Sequence, residues 1–127
     1  LTNLLKLDLS NNLLTELPET IGNLTNLQYL LLESNRLTHL PESIGKLNKL
    51  EYLELNINKL IRLPVSIGNL TNLSRLDLVR NQLKELPKSI NNLTNLQELA
   101  IDGNPLTRKG RKQLKKLKEK GVLVYYG

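Results

Sequence analysis

The stretch Leu4-Leu5-Lys6-Leu7-Asp8-Leu9-Ser10-Asn11-Asn12-Leu13-Leu14 has the pattern Leu-x-x-Leu-x-Leu-x-x-Asn-x-Leu, and this pattern decides the fold. It begins again every 23 residues, with one leucine replaced by isoleucine in the last copy, at Leu27, Leu50, Leu73 and Leu96. A unit of that length cannot bury its own apolar face, so neighbouring copies must stack and share one core. The sequence therefore predicts a solenoid, whose stacked units present an extended surface suited to binding.

The first half of each repeat alternates apolar and polar residues, as in Tyr52-Leu53-Glu54-Leu55-Asn56. A period of two over a few residues is typical of a short β-strand with one buried face. Because each return connection is long, neighbouring strands are expected to run parallel and to lie about 4.8 Å apart. The sequence therefore predicts one parallel sheet, with leucines on its inner face and variable residues on its outer face.

The second half of each repeat contains a Leu-Pro pair, followed by a column of small residues. The pairs are Leu17-Pro18, Leu40-Pro41, Leu63-Pro64 and Leu86-Pro87, and the column is Gly22, Gly45, Gly68 and Asn91. Proline lacks a backbone donor and biases the preceding residue to extended geometry, so regular helix is not expected there. Glycine and asparagine tolerate positive φ best, so the column is expected to mark a backbone turn.

An asparagine follows each strand, at Asn12, Asn35, Asn58, Asn81 and Asn104. A row of amides could bind a ligand, but amides at these bends can also satisfy backbone groups of their own and adjacent turns. An unpaired buried polar group costs about 1 to 3 kcal/mol. The strict repetition of this column therefore favours the structural role.

The chain resembles the leucine-rich repeat family in its 23-residue form, in which the convex half reads Leu-Pro-x-x-Ile-Gly-x-Leu. The segment from Leu17 to Gln28, LPETIGNLTNLQ, is similar to repeats of bacterial proteins and of the intracellular Ras-group-related class. The resemblance covers essentially the whole chain. It implies an α/β, right-handed, horseshoe-shaped solenoid with a parallel sheet on the concave face and a mostly irregular or 3-10 convex side. It also implies that proteins bind on the concave face.

The last repeat departs from this pattern, because residues 107–120 lack both the Leu-Pro and the Ile-Gly pair. One face of a helix is predicted from apolar or small residues at Leu106, Gly110, Leu114 and Leu117. Thr107 is expected to cap its start and Gly121 to end it. A spacing of 23 residues places Val122 and Val124 beside Leu99 and Ile101, which predicts a sixth strand over residues 121–125. We therefore divide the chain into repeats, residues 1–106, and a C-terminal cap, residues 107–127.

The chain begins inside a repeat, since Leu1-Thr2-Asn3 matches Leu24-Thr25-Asn26 near the end of a complete unit. No polar N-terminal cap precedes Leu4, so the first strand edge and the end of the core are expected to be uncovered. The sequence therefore predicts a piece of a longer protein, or edge-to-edge self-association through this uncapped N-terminus.

Basic residues are concentrated in the C-terminal helix. The chain carries a formal charge of +6, whereas residues 107–120 alone hold eight basic residues and one acidic residue. The rest of the chain is close to neutral, which disfavours a general affinity for nucleic acid. A basic helix can bind phosphates or an anionic membrane surface, or it can be the solvated outer face of a cap. The candidate anion-binding residues are Arg108, Arg111, Lys112, Lys115 and Lys116.

The outward strand positions carry the information on function, because packing dictates the inward ones. They hold six acidic and three basic residues, which gives the predicted concave face a charge of −3, opposite in sign to the chain. Tyrosine and aliphatic residues lie among these charges, as in the centre of a protein interface. Single apolar side chains can also simply tolerate exposure on a sheet. The candidate partner-binding residues are Tyr29, Leu31, Glu33, Tyr52, Glu54, Ile57, Arg75, Asp77, Val79 and Arg80.

Catalytic and cofactor sites have little support in the sequence. It has one histidine, no cysteine, no Gly-rich phosphate loop and no metal-ligand cluster, so neither a cofactor nor a metal is expected. Glu54 and Asp77 are expected on adjacent strands, but an open, wet surface is not expected to raise a carboxyl pKa for acid catalysis. No apolar run is long enough to span a membrane.

These observations predict a non-catalytic protein–protein interaction module whose protein or peptide ligand the sequence does not identify. Two alternatives stay open. One is a recognition or regulatory segment of a larger enzyme or receptor, and the other is binding of an anionic surface through the basic C-terminal helix.

Overall fold

The computed structural model describes residues 3–126, in which six short parallel strands form one sheet in chain order. The strands are β1 (Lys6–Asp8), β2 (Tyr29–Leu31), β3 (Tyr52–Glu54), β4 (Arg75–Asp77), β5 (Glu98–Ala100) and β6 (Leu123–Tyr125). Each Leu-Pro pair leads into a five-residue 3-10 helix, at Glu19–Asn23, Glu42–Lys46, Val65–Asn69 and Lys88–Asn92. The predicted α/β solenoid, with its parallel sheet and 3-10 convex side, is confirmed.

The core is a stack of leucines that the repeat places in register. Leu30, Leu53, Leu76 and Leu99 pair across the strand centres and are fully buried. Full burial of such a side chain stabilises the fold by about 1.5 to 3 kcal/mol. Leu7 and Leu9 of the first repeat are only partly buried, because within residues 3–126 no strand packs on the outer side of β1.

The asparagine column forms the predicted structural ladder. The side chain of Asn58 donates to the carbonyls of Leu32 and Leu55 at 2.9 and 3.1 Å and accepts from the Leu37 backbone at 3.0 Å. Asn35, Asn81 and Asn104 repeat this arrangement with their own neighbours, and all four are buried. These amides are therefore occupied in tying consecutive repeats together, which agrees with the structural interpretation.

The glycine column does not mark a positive-φ turn, so that prediction is wrong. Gly22, Gly45 and Gly68 lie inside the 3-10 helices and are absent from the positive-φ residues of the described chain. A Cβ on Gly45 would lie 2.7 Å from the Cβ of Ser66 and 2.8 Å from its carbonyl oxygen. Glycine is therefore needed because the 3-10 helices of successive repeats pack in close contact.

The C-terminal segment contains a single α-helix, α1 (Arg108–Glu119), with both predicted end signals. Thr107 accepts a side-chain hydrogen bond from the Gly110 amide at 3.3 Å. At the other end Gly121 has φ +97°, and its amide and that of Val122 donate to the carbonyls of Lys118 and Leu117. This pattern is a Schellman motif, in which a left-handed glycine ends the helix.

The register predicted for the sixth strand is wrong by two residues. β6 covers Leu123–Tyr125, and Val124 rather than Val122 pairs with Leu99. The connection through α1 and its Schellman turn is two residues longer than the 3-10 connections, so the 23-residue spacing no longer applies. Val122 is buried, and its amide donates a hydrogen bond to the Leu117 carbonyl at the end of α1 instead of joining the sheet.

Candidate functional site

Two tyrosines form the aromatic centre of the concave face. Tyr29 and Tyr52 are register partners on β2 and β3, and their ring centroids lie 5.2 Å apart with the planes tilted by 59°. Both are half-buried rather than part of the core. Tilted pairs at this separation attract one another, so the two rings form one continuous aromatic surface.

A row of side chains beside the tyrosines contains Leu31, Glu54 and Asp77, which are partners on β2, β3 and β4. Burial raises the pKa of Glu54, and the negative charges of Asp77 and Glu33 raise it further. Burial also raises the pKa of Asp77, against the lowering effects of the Val79 amide, which donates at 3.1 Å, and of Arg75. The expectation that this surface does not raise a carboxyl pKa is therefore wrong.

The two carboxyls nevertheless do not form an enclosed acid pair. The main clefts of residues 3–126 are lined by other residues, and no group of three or more acidic or histidine side chains in that range could hold a metal ion. The raised pKa values instead indicate that the carboxylates are half-buried and that nearby positive charges only partly compensate their negative charge. Such a surface attracts a positively charged group.

Glu33, Arg75 and Val79 are placed next to this row. The Asn56 side chain donates to Glu33 at 2.8 Å, and the Arg75 guanidinium lies 3.7 Å from the carboxylate of Glu98. Arg75 is therefore partly committed to Glu98 rather than to the Glu54 and Asp77 pair. The structure thus places eight of the ten candidates on β2, β3 and β4 or within two residues of their ends.

The other two candidates, Ile57 and Arg80, lie just past β3 and β4 in the left-handed region. Both have φ +57°, and the same column holds Asn11 and Ser34 at φ 60° and 58°. The Ile57 amide donates to the carbonyl of Val79 at 2.7 Å, so the sheet's hydrogen bonds continue through this turn and enforce it. The sequence contained one signal of this left-handed backbone. Asn11 and Gly103 occupy the same column, and both residue types tolerate positive φ.

The corrected register adds residues that the sequence interpretation placed elsewhere. Leu123 lies beside Glu98, in the column of the two tyrosines, and Tyr125 lies beside Ala100, in the column of Glu54. Both side chains are exposed, at 53% and 46%. The concave face therefore has a second apolar region at its C-terminal end, which a fixed repeat length could not have located.

The five candidate anion-binding residues do not form one group. Lys112 and Lys116 line a cleft between α1 and the 3-10 helix Lys88–Asn92. Helical spacing places Arg111 and Lys115 on the opposite flank of α1, whereas Arg108 lies one turn before Lys112 and does not line the cleft. The Arg111 guanidinium is also partly occupied, since it donates to the Leu106 carbonyl at 3.2 Å. The sequence interpretation omitted Lys88 and Lys109, which line the same cleft as Lys112 and Lys116.

The first repeat presents an apolar cleft of about 430 Å³. Leu7, Leu9, Leu17, Pro18 and Ile21 contribute to its lining. These side chains correspond to ones that the preceding repeat covers elsewhere in the stack. No helix within residues 3–126 has the length and apolar character to cross a bilayer.

Comparisons with known proteins agree with this architecture. A family model described as a leucine-rich repeat region matches residues 44–124, and a second, described as leucine rich repeat, matches residues 2–60. The class of protein that this fold and surface define is a repeat solenoid. The chain belongs to the leucine-rich repeat family. A search of curated proteins found no match.

Two similar solved structures illustrate the range of the family. A leucine-rich repeat protein from Leptospira interrogans is 38% identical, with a TM-score of 0.74, over 97% of this chain and 37% of that one. The plant peptide hormone receptor RGFR1, solved in complex with RGF2, is 41% identical, with a TM-score of 0.74, over 81% of this chain and 17% of that one. The chain thus spans well under half of either neighbour.

Proposed function

We propose that the chain is a non-catalytic recognition module that binds a protein or peptide on its concave face, with repeats two to four as the site. The observation that carries this proposal is the Tyr29–Tyr52 ring pair beside the half-buried carboxyls of Glu54 and Asp77. Neither feature is needed to hold the repeats together. Leucine-rich repeat proteins commonly mediate protein–protein interaction, and the similar plant receptor was solved with a peptide hormone.

The chemistry of the face indicates a partner segment with an apolar side chain next to a positive charge. The tyrosine pair offers an aromatic surface for the apolar group, and tyrosine is common among residues that dominate binding energy. A lysine or arginine of the partner would relieve the repulsion among Glu33, Glu54 and Asp77. Binding would therefore weaken as the carboxyls are protonated.

A displayed library of random peptides tests this proposal, because it samples many side-chain combinations against the same surface. Peptides selected on the wild-type chain should be cationic with an aromatic or aliphatic residue, and Tyr29→Ala with Tyr52→Ala should reduce their affinity at least about tenfold. The matched control is Ile61→Ala with Val65→Ala, which removes two exposed apolar side chains outside the sheet. Equal loss in both variants, or undiminished binding by the tyrosine variant, would contradict the proposal.

Two further possibilities rest on specific observations. The short coverage of both solved neighbours supports the alternative that this is the recognition segment of a larger protein. The apolar cleft of the first repeat supports the prediction of self-association through that end. Sedimentation of the chain at low and high concentration tests the second possibility, and a constant monomer mass would remove it.

A further inference from the structure

A cleft of about 300 Å³ separates the last 3-10 helix from α1, on the side of the molecule away from the sheet. Its lining is formed by six polar or basic residues, Lys88, Asn91, Lys109, Lys112, Gln113 and Lys116. Lys88 comes from the 3-10 helix and the other three lysines from one flank of α1. Four lysines from two different elements therefore line one small space.

Two contacts fix the geometry of this cleft. The Gln113 amide donates to the Leu86 carbonyl at 2.6 Å and accepts from the Leu86 amide at 2.9 Å. Gly110 lies so close to the preceding repeat that a Cβ there would be 2.5 Å from the Lys84 carbonyl oxygen. These anchors hold α1 at a set position against the last repeat, so the cleft is formed before any ligand arrives.

The lysines are only partly compensated within residues 3–126. Lys109 pairs with Glu85 at 3.0 Å, and both groups are well exposed, so the attraction between them is weak. Lys88, Lys112 and Lys116 form no ion pair in this range. A second cleft of about 290 Å³ adjoins the first through Lys88 and Lys109 and adds the charged residues Arg62 and Glu85. The local charge is thus positive, and Glu85 is the one acidic residue among the linings of the two clefts.

The size and composition of the cleft indicate the ligand. About 300 Å³ is the lower end of the range for small-molecule sites, which suits a compact ligand better than a long polymer. The aliphatic stems of lysine form apolar walls, and their ammonium groups reach solvent at the rim. Lysine binds phosphate as a point charge, and three or four such charges match several phosphate groups better than one.

We propose that this cleft binds a small organic anion that carries two or more phosphate groups. The site is separate from the concave face, so its occupancy leaves the partner-binding surface free. The ligand is either a free multiply phosphorylated molecule or the phosphorylated headgroup of a lipid, and both present the same chemistry to the lysines.

Calorimetric titration of the whole chain with inositol trisphosphate at physiological salt tests the proposal. The cleft variant is Lys88→Gln, Lys112→Gln and Lys116→Gln, and the control is Arg111→Gln, Lys115→Gln and Lys118→Gln. Each removes three charges, but the control residues lie on the opposite flank of α1. We expect at least about tenfold loss of affinity in the cleft variant and less than about threefold in the control. An equal loss of affinity in the cleft and control variants, or no binding of inositol trisphosphate by wild type, would overturn the proposal.

Vesicles that contain phosphatidylinositol bisphosphate distinguish the two sources. Binding of both the vesicles and inositol trisphosphate, lost in the cleft variant, supports a lipid headgroup, whereas binding of the soluble anion alone supports a free molecule. Binding of vesicles without the soluble anion indicates general attraction to a charged surface and overturns the proposal. Urea unfolding checks that the variants fold, and Lys88→Gln alone, an exposed residue outside α1, replaces the triple variant if it does not.

Discussion

Ile57 is the most strained residue of the proposed site. Left-handed backbone costs a residue with a Cβ about 1 to 2 kcal/mol, and a β-branched side chain is a genuine outlier there. The ladder bond from its amide to the Val79 carbonyl holds it at φ +57°, while its side chain remains 43% exposed. Strained residues are concentrated at functional sites, so an exposed, strained isoleucine on a candidate binding face is consistent with a role in binding.

Replacing this residue should therefore stabilise the fold and weaken binding. Ile57→Asn is expected to raise the free energy of unfolding by about 0.5 to 1 kcal/mol, because asparagine tolerates positive φ better. Urea titration followed by circular dichroism measures the change. Ile61→Asn is the control, since Ile61 is similarly exposed but has negative φ. A loss of stability in Ile57→Asn equal to that of the control would show that no strain is relieved.

At the scale of elements, the glycine column shows how one repeat constrains the next. Gly45→Ala would bring a methyl group to 2.7 Å from the Ser66 Cβ, and the backbone of the following 3-10 helix would have to shift. We expect a loss of about 1 to 3 kcal/mol in unfolding free energy, typical of overpacking. Urea unfolding of the variant measures this loss.

Asn91→Ala provides the control for this prediction, because Asn91 holds the same position in the last 3-10 helix and already carries a side chain. It loses only exposed hydrogen bonds, to the Lys88 carbonyl and from Lys120, and should change stability by less than about 0.5 kcal/mol. An unfolding midpoint for Gly45→Ala as high as that of wild type would contradict close packing as the reason for glycine.

The elements also show what the sequence could predict and what it could not. Inward leucines, the asparagine ladder and the caps of α1 followed from residue chemistry at a fixed spacing, and the structure confirms each. The prediction of a positive-φ turn at the column of Gly45 was wrong because two physical causes, positive φ and close packing, select the same residue type. The predicted register of β6 was wrong because the true register depends on the length of the connection through α1, which no repeat pattern encodes.

The candidate sites were predictable to different degrees for a related reason. The pairing of Tyr29 with Tyr52 followed directly from strand register. The convergence of Lys88 with Lys112 and Lys116 depends on where α1 packs against the last repeat, and sequence spacing carries no information on that.

At the scale of the whole molecule, the solenoid keeps two opposite charges apart. The predicted net charge of −3 lies on the sheet, while α1 carries most of the positive charge at one end. The negative face opposes folding, because burial and neighbouring negative charges raise the pKa values of Glu54 and Asp77. The folded state then binds protons more readily than the unfolded chain, so the contribution of this pair to stability falls as pH rises.

The pH dependence of stability therefore tests the electrostatics of the concave face. Glu54→Gln with Asp77→Asn should raise the midpoint of thermal unfolding at pH 7 by about 1 to 3 °C. The advantage should disappear as pH falls below the ordinary values of 4.5 and 3.8, because both carboxyls of wild type are then protonated in the folded and the unfolded state. Glu16→Gln with Glu119→Gln removes the same charge outside the sheet. If this control shows the same gain with the same pH dependence, net charge rather than the concave surface is responsible, and the attraction proposed for a cationic partner loses its basis.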